Sequence, residues 1–106
     1  DEAYVEMAMA FAGRILTESN GGPETHILYA FKTAFGRIPR PAETVYLKAL
    51  LLKRHAFYEK TPKAAQTLIA SAKGWKVPEG MNLGDLAAWF YLTNILMNLD
   101  EAITKG

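Results

Sequence analysis

The chain has 106 residues, half of them hydrophobic and 22% charged, with a formal net charge of +1. That length suits a single domain able to bury roughly two thirds of the surface its unfolded chain exposes, and the balance excludes an intrinsically disordered segment. Cysteine is absent, which excludes a disulfide scaffold, a thiol nucleophile, thiolate metal ligands and covalent c-type haem attachment.

Helical spacing runs along the whole chain without an alternating strand pattern. The first helix is predicted from Ala3 to about Ser19, with Tyr4, Ala8, Phe11 and Ile15 on one stripe and Val5, Met9, Ala12 and Leu16 beside it. Asn20-Gly21-Gly22 ends it, because Asn and Gly accept the left-handed backbone that closes helices, and Pro23 suits the first position of the next. The second helix runs to about Phe35, burying Ile27, Leu28, Phe31, Ala34 and Phe35, and Gly36 caps it. Two prolines constrain Arg37-Ile38-Pro39-Arg40-Pro41, so the chain turns there and a third helix starts near Pro41. Its apolar positions Ala42, Val45, Tyr46, Ala49, Leu50 and Phe57 keep the helical period as far as Lys60.

Thr61-Pro62 is a cap followed by a first-position proline, so a fourth helix is predicted from Pro62 to Lys73, packing through Ala65, Leu68, Ile69 and Ala72. Residues Gly74 to Gly80 read as a loop. The final helix has the clearest start signal: Asn82 caps it, Asp85 sits three residues on, and Met81 can staple against Leu86. Its body is apolar nearly all round, through Leu86, Ala87, Trp89, Phe90, Leu92, Ile95, Leu96, Met97 and Leu99. Such a helix is central or has a second partner. The expected fold is therefore all-α, a five-helix orthogonal or irregular bundle around an apolar C-terminal helix, with residues 1–106 forming one domain.

The longest apolar run, Leu86 to Met97, is broken by Thr93 and Asn94 and falls short of the roughly 20 residues needed to cross a bilayer. The chain opens on Asp1 and Glu2 without an initiator Met or signal-peptide regions, and reads as a piece of a longer protein. It has no Gly-rich phosphate loop, no His-Glu-x-x-His helix and no Gly-x-Ser-x-Gly elbow, and its only serines are Ser19 and Ser71. No catalytic residue is assigned. His55 and Glu59 stand four apart and could share a metal, but two ligands do not make a site and His26 is distant in sequence. Met7, Met9 and Met97 could meet a haem edge, yet their helical spacing reads as core packing, so neither metal nor cofactor is expected.

Two stretches carry a resemblance. Ala30-Phe31-Lys32-Thr33-Ala34-Phe35-Gly36-Arg37-Ile38-Pro39-Arg40-Pro41-Ala42-Glu43 is similar to a pattern A-F-x-x-A-x-G-R-x-P-T-P-x-E. Ala87-Ala88-Trp89, followed by Ile95-Leu96-Met97-Asn98-Leu99-Asp100-Glu101, is similar to A-A-W and L-L-N-L-D-E. With the Tyr4-Val5 opening, the chain resembles the C-terminal end of the planctomycete-type domain of unknown function number fifteen fifty-three. The resemblance implies a helical tail of a large exported protein, periplasmic or extracellular, with cytochrome-c-like and uncharacterised domains upstream. It also implies an accessory place in a redox or carbohydrate-processing assembly. Arg40 stands where the family pattern has Thr, so the usual hydroxyl cap of the third helix is missing and Glu43 or water must replace it.

Asn94 and Asn98 lie one turn apart on the apolar final helix, with Asp100 and Glu101 just beyond, and these groups need partners. They can form a ligand or partner site at the end of the bundle, or cap and tether the neighbouring turn. We read them as structural, with Arg37 as the tether to Asp100 or Glu101, because its planar fork holds a carboxylate in two parallel bonds. Residues Lys32 to Lys76 contain ten basic residues against Glu43 and Glu59, which raises a polyanion partner, nucleic acid or a sulfated polysaccharide. Lys48, Lys53 and Arg54 point in different directions, however, and no motif for groove or base readout occurs. The leading expectation is a non-catalytic structural or interaction domain that packs on upstream domains of its own protein, with the last helix and Trp89 supplying the contact. A polyanion-binding module and a fragment of an enzyme whose site lies upstream are the alternatives.

Overall fold

The computed structural model describes the backbone of residues 1–105 and the side chains of residues 1–99. Five helices follow one another: α1 (Glu2–Glu18), α2 (Pro23–Phe35), α3 (Pro41–Lys60), α4 (Pro62–Ala70) and α5 (Leu83–Lys105). No strand occurs among the described residues, so the chain is an all-α bundle.

The local chemistry explains the boundaries. Pro23, Pro41 and Pro62 each open a helix, where a missing N–H costs nothing and the fixed φ already suits the first turn. Gly36 closes α2 at φ 68°, a left-handed backbone that favours glycine, and its N–H donates to Lys32 O. At the start of α5 the Asn82 side chain accepts from Asp85 N at 2.9 Å, as the sequence predicts. Helix α4 stops at Ala70, short of the predicted Lys73. Its chain tightens there into three-residue turns, Ser71 N to Leu68 O and Ala72 N to Ile69 O, while the Ser71 hydroxyl donates to the same Leu68 carbonyl.

Helix α5 is the hub, packing most extensively on α1 and α3 and then on α4. Leu86 to Phe90, Leu92 and Leu96 are buried, and Trp89 is only 2% exposed. Phe31, Ile27, Met9 and Ile15 meet it from the neighbouring helices in one core. Thr93 joins α5 to α1: its buried hydroxyl lies 2.8 Å from Phe90 O and 3.2 Å from Ala8 O. The segment after α4 folds back onto α1. Glu6 accepts from Gly74 N at 2.7 Å, and Gly13 leaves room for the Trp75 ring, since a Cβ at Gly13 would lie 2.8 Å from Trp75 Cζ2.

Helix α3 departs from its expected packing. The period followed through Val45, Tyr46 and Phe57 marks the solvent side, whereas the core takes Leu47, Leu51 and Tyr58. Val45 is 69% and Leu52 74% exposed. The physical reason is that α3 carries apolar residues on both faces, so its own periodicity cannot say which face the bundle covers. On α2 the same correction applies to Leu28, which is exposed, while Ala30 is buried in its stead.

Candidate interaction surface and the histidine cleft

Successive helical residues turn by about 100°. Val45, Ala49, Leu52 and Ala56 therefore share one line of α3, opposite Leu47, Leu51 and Tyr58, and all four are exposed. The line runs into a shallow groove of about 620 Å³ between α2 and α3, lined by Leu28, Ile38, Pro39, Thr44 and Val45 and edged by Glu24 and Lys48. Leu28 and Ile38 are themselves exposed, so apolar surface is continuous from α2 across the proline turn to the middle of α3. Lys48 donates to Glu24 across the groove at 2.7 Å, and this contact holds the Glu24 carboxyl below its ordinary range.

The proline turn beside this surface is rigid for identifiable reasons. Arg37 directs both terminal nitrogens to Glu43, at 2.9 and 2.8 Å, and its guanidinium lies over the rings of Phe31 and Phe35. Glu43 also accepts from Arg40 N at 2.8 Å, the half of a capping box that reaches back to the N-cap residue, while no side chain stands in for the missing hydroxyl as acceptor for the first-turn N–H groups, because arginine has no acceptor to offer. The Arg37 hydrogen bonds outweigh the desolvation of Glu43 and hold its carboxyl at about 2.

A second concentration of polar groups lies at the other end of α3. His26 and His55, the only histidines, both line a small cavity of about 190 Å³ with Gly21, Gly22, Leu51, Asp85 and Trp89. A neighbouring polar cleft of about 410 Å³ shares His26 and Asp85 and adds Ser19, Asn82 and Glu79. The His55 ring bonds the Asp85 carboxylate, and His26 Nδ1 lies 2.6 Å from Ser19 Oγ. This arrangement is not an activated serine. The Ser19 hydroxyl has one proton and sits 2.5 Å from Ile15 O, a pure acceptor, so that proton goes to the carbonyl and the hydrogen-bond pattern assigns the His26 Nδ1–H as donor to Oγ. Burial pushes the His26 pKa down, and the nearby Asp85 charge only partly opposes this. Among the described residues no three His, Asp or Glu side chains converge closely enough to hold a metal ion.

Arg54 lies on the opposite side of α3, toward α5. Its guanidinium lies over Tyr91, Phe57 and Tyr58 with centroid distances of 4.3, 4.8 and 5.0 Å, and Nη2 donates to the Tyr58 hydroxyl. Ring faces meet this charge in place of a carboxylate, and the buried Nε has no hydrogen-bond partner among the described residues.

The sequence-predicted residues fall as follows. Trp89 is buried against the small cavity and His26, so it cannot supply an outer contact. Asn94 is half-buried and donates to Phe90 O within its own helix, Asn98 is exposed, and Arg37 is engaged with Glu43. The side chains of Asp100 and Glu101 lie outside the described residues. Sequence reading missed the His26–Ser19 and His55–Asp85 pairs because their members are 7 and 30 residues apart and join only through the tertiary fold. Trp75 on Gly13 did carry a signal, an isolated glycine inside a helical pattern. No family model, curated protein or solved structure matches the chain significantly.

Proposed function

We propose that this chain is a non-catalytic interaction domain that docks through the solvent face of α3 and the adjoining α2–α3 groove. The observation that carries the reading is the exposure of Val45 and Leu52 in line with Ala49 and Ala56, on a helix whose opposite face already fills the core. Contiguous exposed apolar surface of this kind, rimmed by polar groups, marks interaction sites. The resemblance of the two motifs to the planctomycete-type domain supports upstream domains of the same exported protein as the partner, and a periplasmic or extracellular setting. Polyanion binding is a second reading, favoured by Lys53, Lys60 and Lys63, which make no ion pair among the described residues. Salt-sensitive retention on heparin would support it.

The test mixes the domain with the remainder of its polypeptide as separate chains in a calorimeter. Association is expected for the native domain and lost for the Val45→Gln/Leu52→Gln variant at unchanged melting temperature. No heat with the native domain overturns the reading.

A further inference from the structure

We propose that the outer line of α3 receives an amphipathic helix whose apolar stripe is flanked by acidic residues. The inference rests on the reading of this face as a docking surface and names the chemistry of what docks there. Ala42, Val45, Ala49, Leu52 and Ala56 are spaced 3, 4, 3 and 4 residues apart and are all exposed. Such spacing is the seam along which two helices interlock side chains, Val45 and Leu52 being the knobs and the alanines letting a partner backbone come close. Glu59 takes the next seam position and ends the stripe.

The flanks decide the partner. Positions beside a seam face the corresponding positions of the other helix, and their charges select it. Here they are Tyr46, Lys53 and Lys60 on one side and Lys48 on the other, while His55, next along that side, turns inward to Asp85. Lys48 is engaged by Glu24, but Lys53 and Lys60 make no ion pair among the described residues. A second copy of α3 would set lysine beside lysine in either orientation, so charge complementarity points away from self-association and toward Glu or Asp on the incoming helix.

Two synthetic helical peptides with the same Ala/Leu stripe, one flanked by Glu and one by Lys, provide the probe. Fluorescence anisotropy with the intact domain is expected to give at least about tenfold tighter binding of the Glu-flanked peptide, the gap narrowing as salt rises. Leu52→Glu should abolish binding of that peptide, and Lys53→Glu with Lys60→Glu should reverse the preference, each at unchanged melting temperature. Equal binding of both peptides overturns the acidic-partner assignment while leaving the docking face in place. Self-association in sedimentation, lost in Leu52→Glu, overturns it in favour of a second copy. If neither peptide binds, the inference fails; calorimetric association with the rest of the polypeptide would then preserve the broader reading, and its absence would remove both.

Discussion

Helices α3 and α5 are both apolar on more than one face, yet the bundle treats them differently. Helix α5 is enclosed by α1, α3 and α4, and nearly every large side chain from Leu86 to Phe90 is withdrawn from water. Helix α3 is covered along Leu47, Leu51 and Tyr58 only, and its other apolar line stays in solvent. Composition alone therefore does not mark a hub. What separates the two is how many neighbours reach each helix, a property of the whole chain.

Substitutions should divide along the same boundary. The largest loss is expected at Trp89→Ala, about 3 to 5 kcal/mol in denaturant unfolding, because the ring fills the centre of the core. A loss below about 1 kcal/mol would show that α5 is not the hub. Gly13→Ala comes next, at about 1 kcal/mol net destabilisation. The gain in helix propensity, near 1 kcal/mol, is outweighed by overpacking against Trp75. In a Trp75→Ala background the same change should become stabilising, and failure of that reversal would refute the close approach.

Glu43→Gln sharpens the comparison at the edge of the docking face. The Arg37–Glu43 fork is about one-third exposed on one side and one-quarter on the other, 31% and 24%, so solvent screens it and its removal should cost about 0.5 to 1 kcal/mol. Because the folded carboxyl is held at about 2, below its unfolded value of 4.5, this stability is fully present above pH 4.5 and is lost as pH falls from there toward 2. The native protein should therefore lose more stability than Glu43→Gln over that interval in acid titrations followed by circular dichroism. The smallest effect is expected at Leu52→Gln, within about 0.5 kcal/mol despite the loss of a large apolar side chain. A cost of 2 kcal/mol would mean that the outer line belongs to the core.

Features set by nearby residues were legible in the sequence. The prolines at 23, 41 and 62, the Gly36 cap and the Asn82 cap each act within a few residues, and the helices start or stop where those signals lie. The candidate surface was legible only as a period. Val45, Tyr46 and Phe57 do repeat helically, but a repeat names a face without naming what covers it, and the competing line through Leu47 and Leu51 won the core. The sequence offers Trp89 as a contact on an apolar helix, whereas the structure buries the ring and removes that contact. The histidine cleft joins residues from the end of α1, from α2, from α3 and from the start of α5, and no local pattern encodes that meeting.

The link between Thr93 and Ala8 has a kinetic consequence. It joins positions 85 residues apart, whereas the Arg37–Glu43 fork closes a stretch of six. Closing a long loop carries the larger entropic cost, so the α2–α3 hairpin can organise early and the docking of α1 on α5 comes late. Stopped-flow measurements should then find that Thr93→Val accelerates unfolding and leaves the folding rate nearly unchanged, while Glu43→Gln slows folding. Slower folding in Thr93→Val would place the meeting of the first and last helices of the chain before the barrier. With the order expected here, the last step to form is the first to open, and the native state would breathe by releasing α1 while the α2–α3 hairpin stays intact.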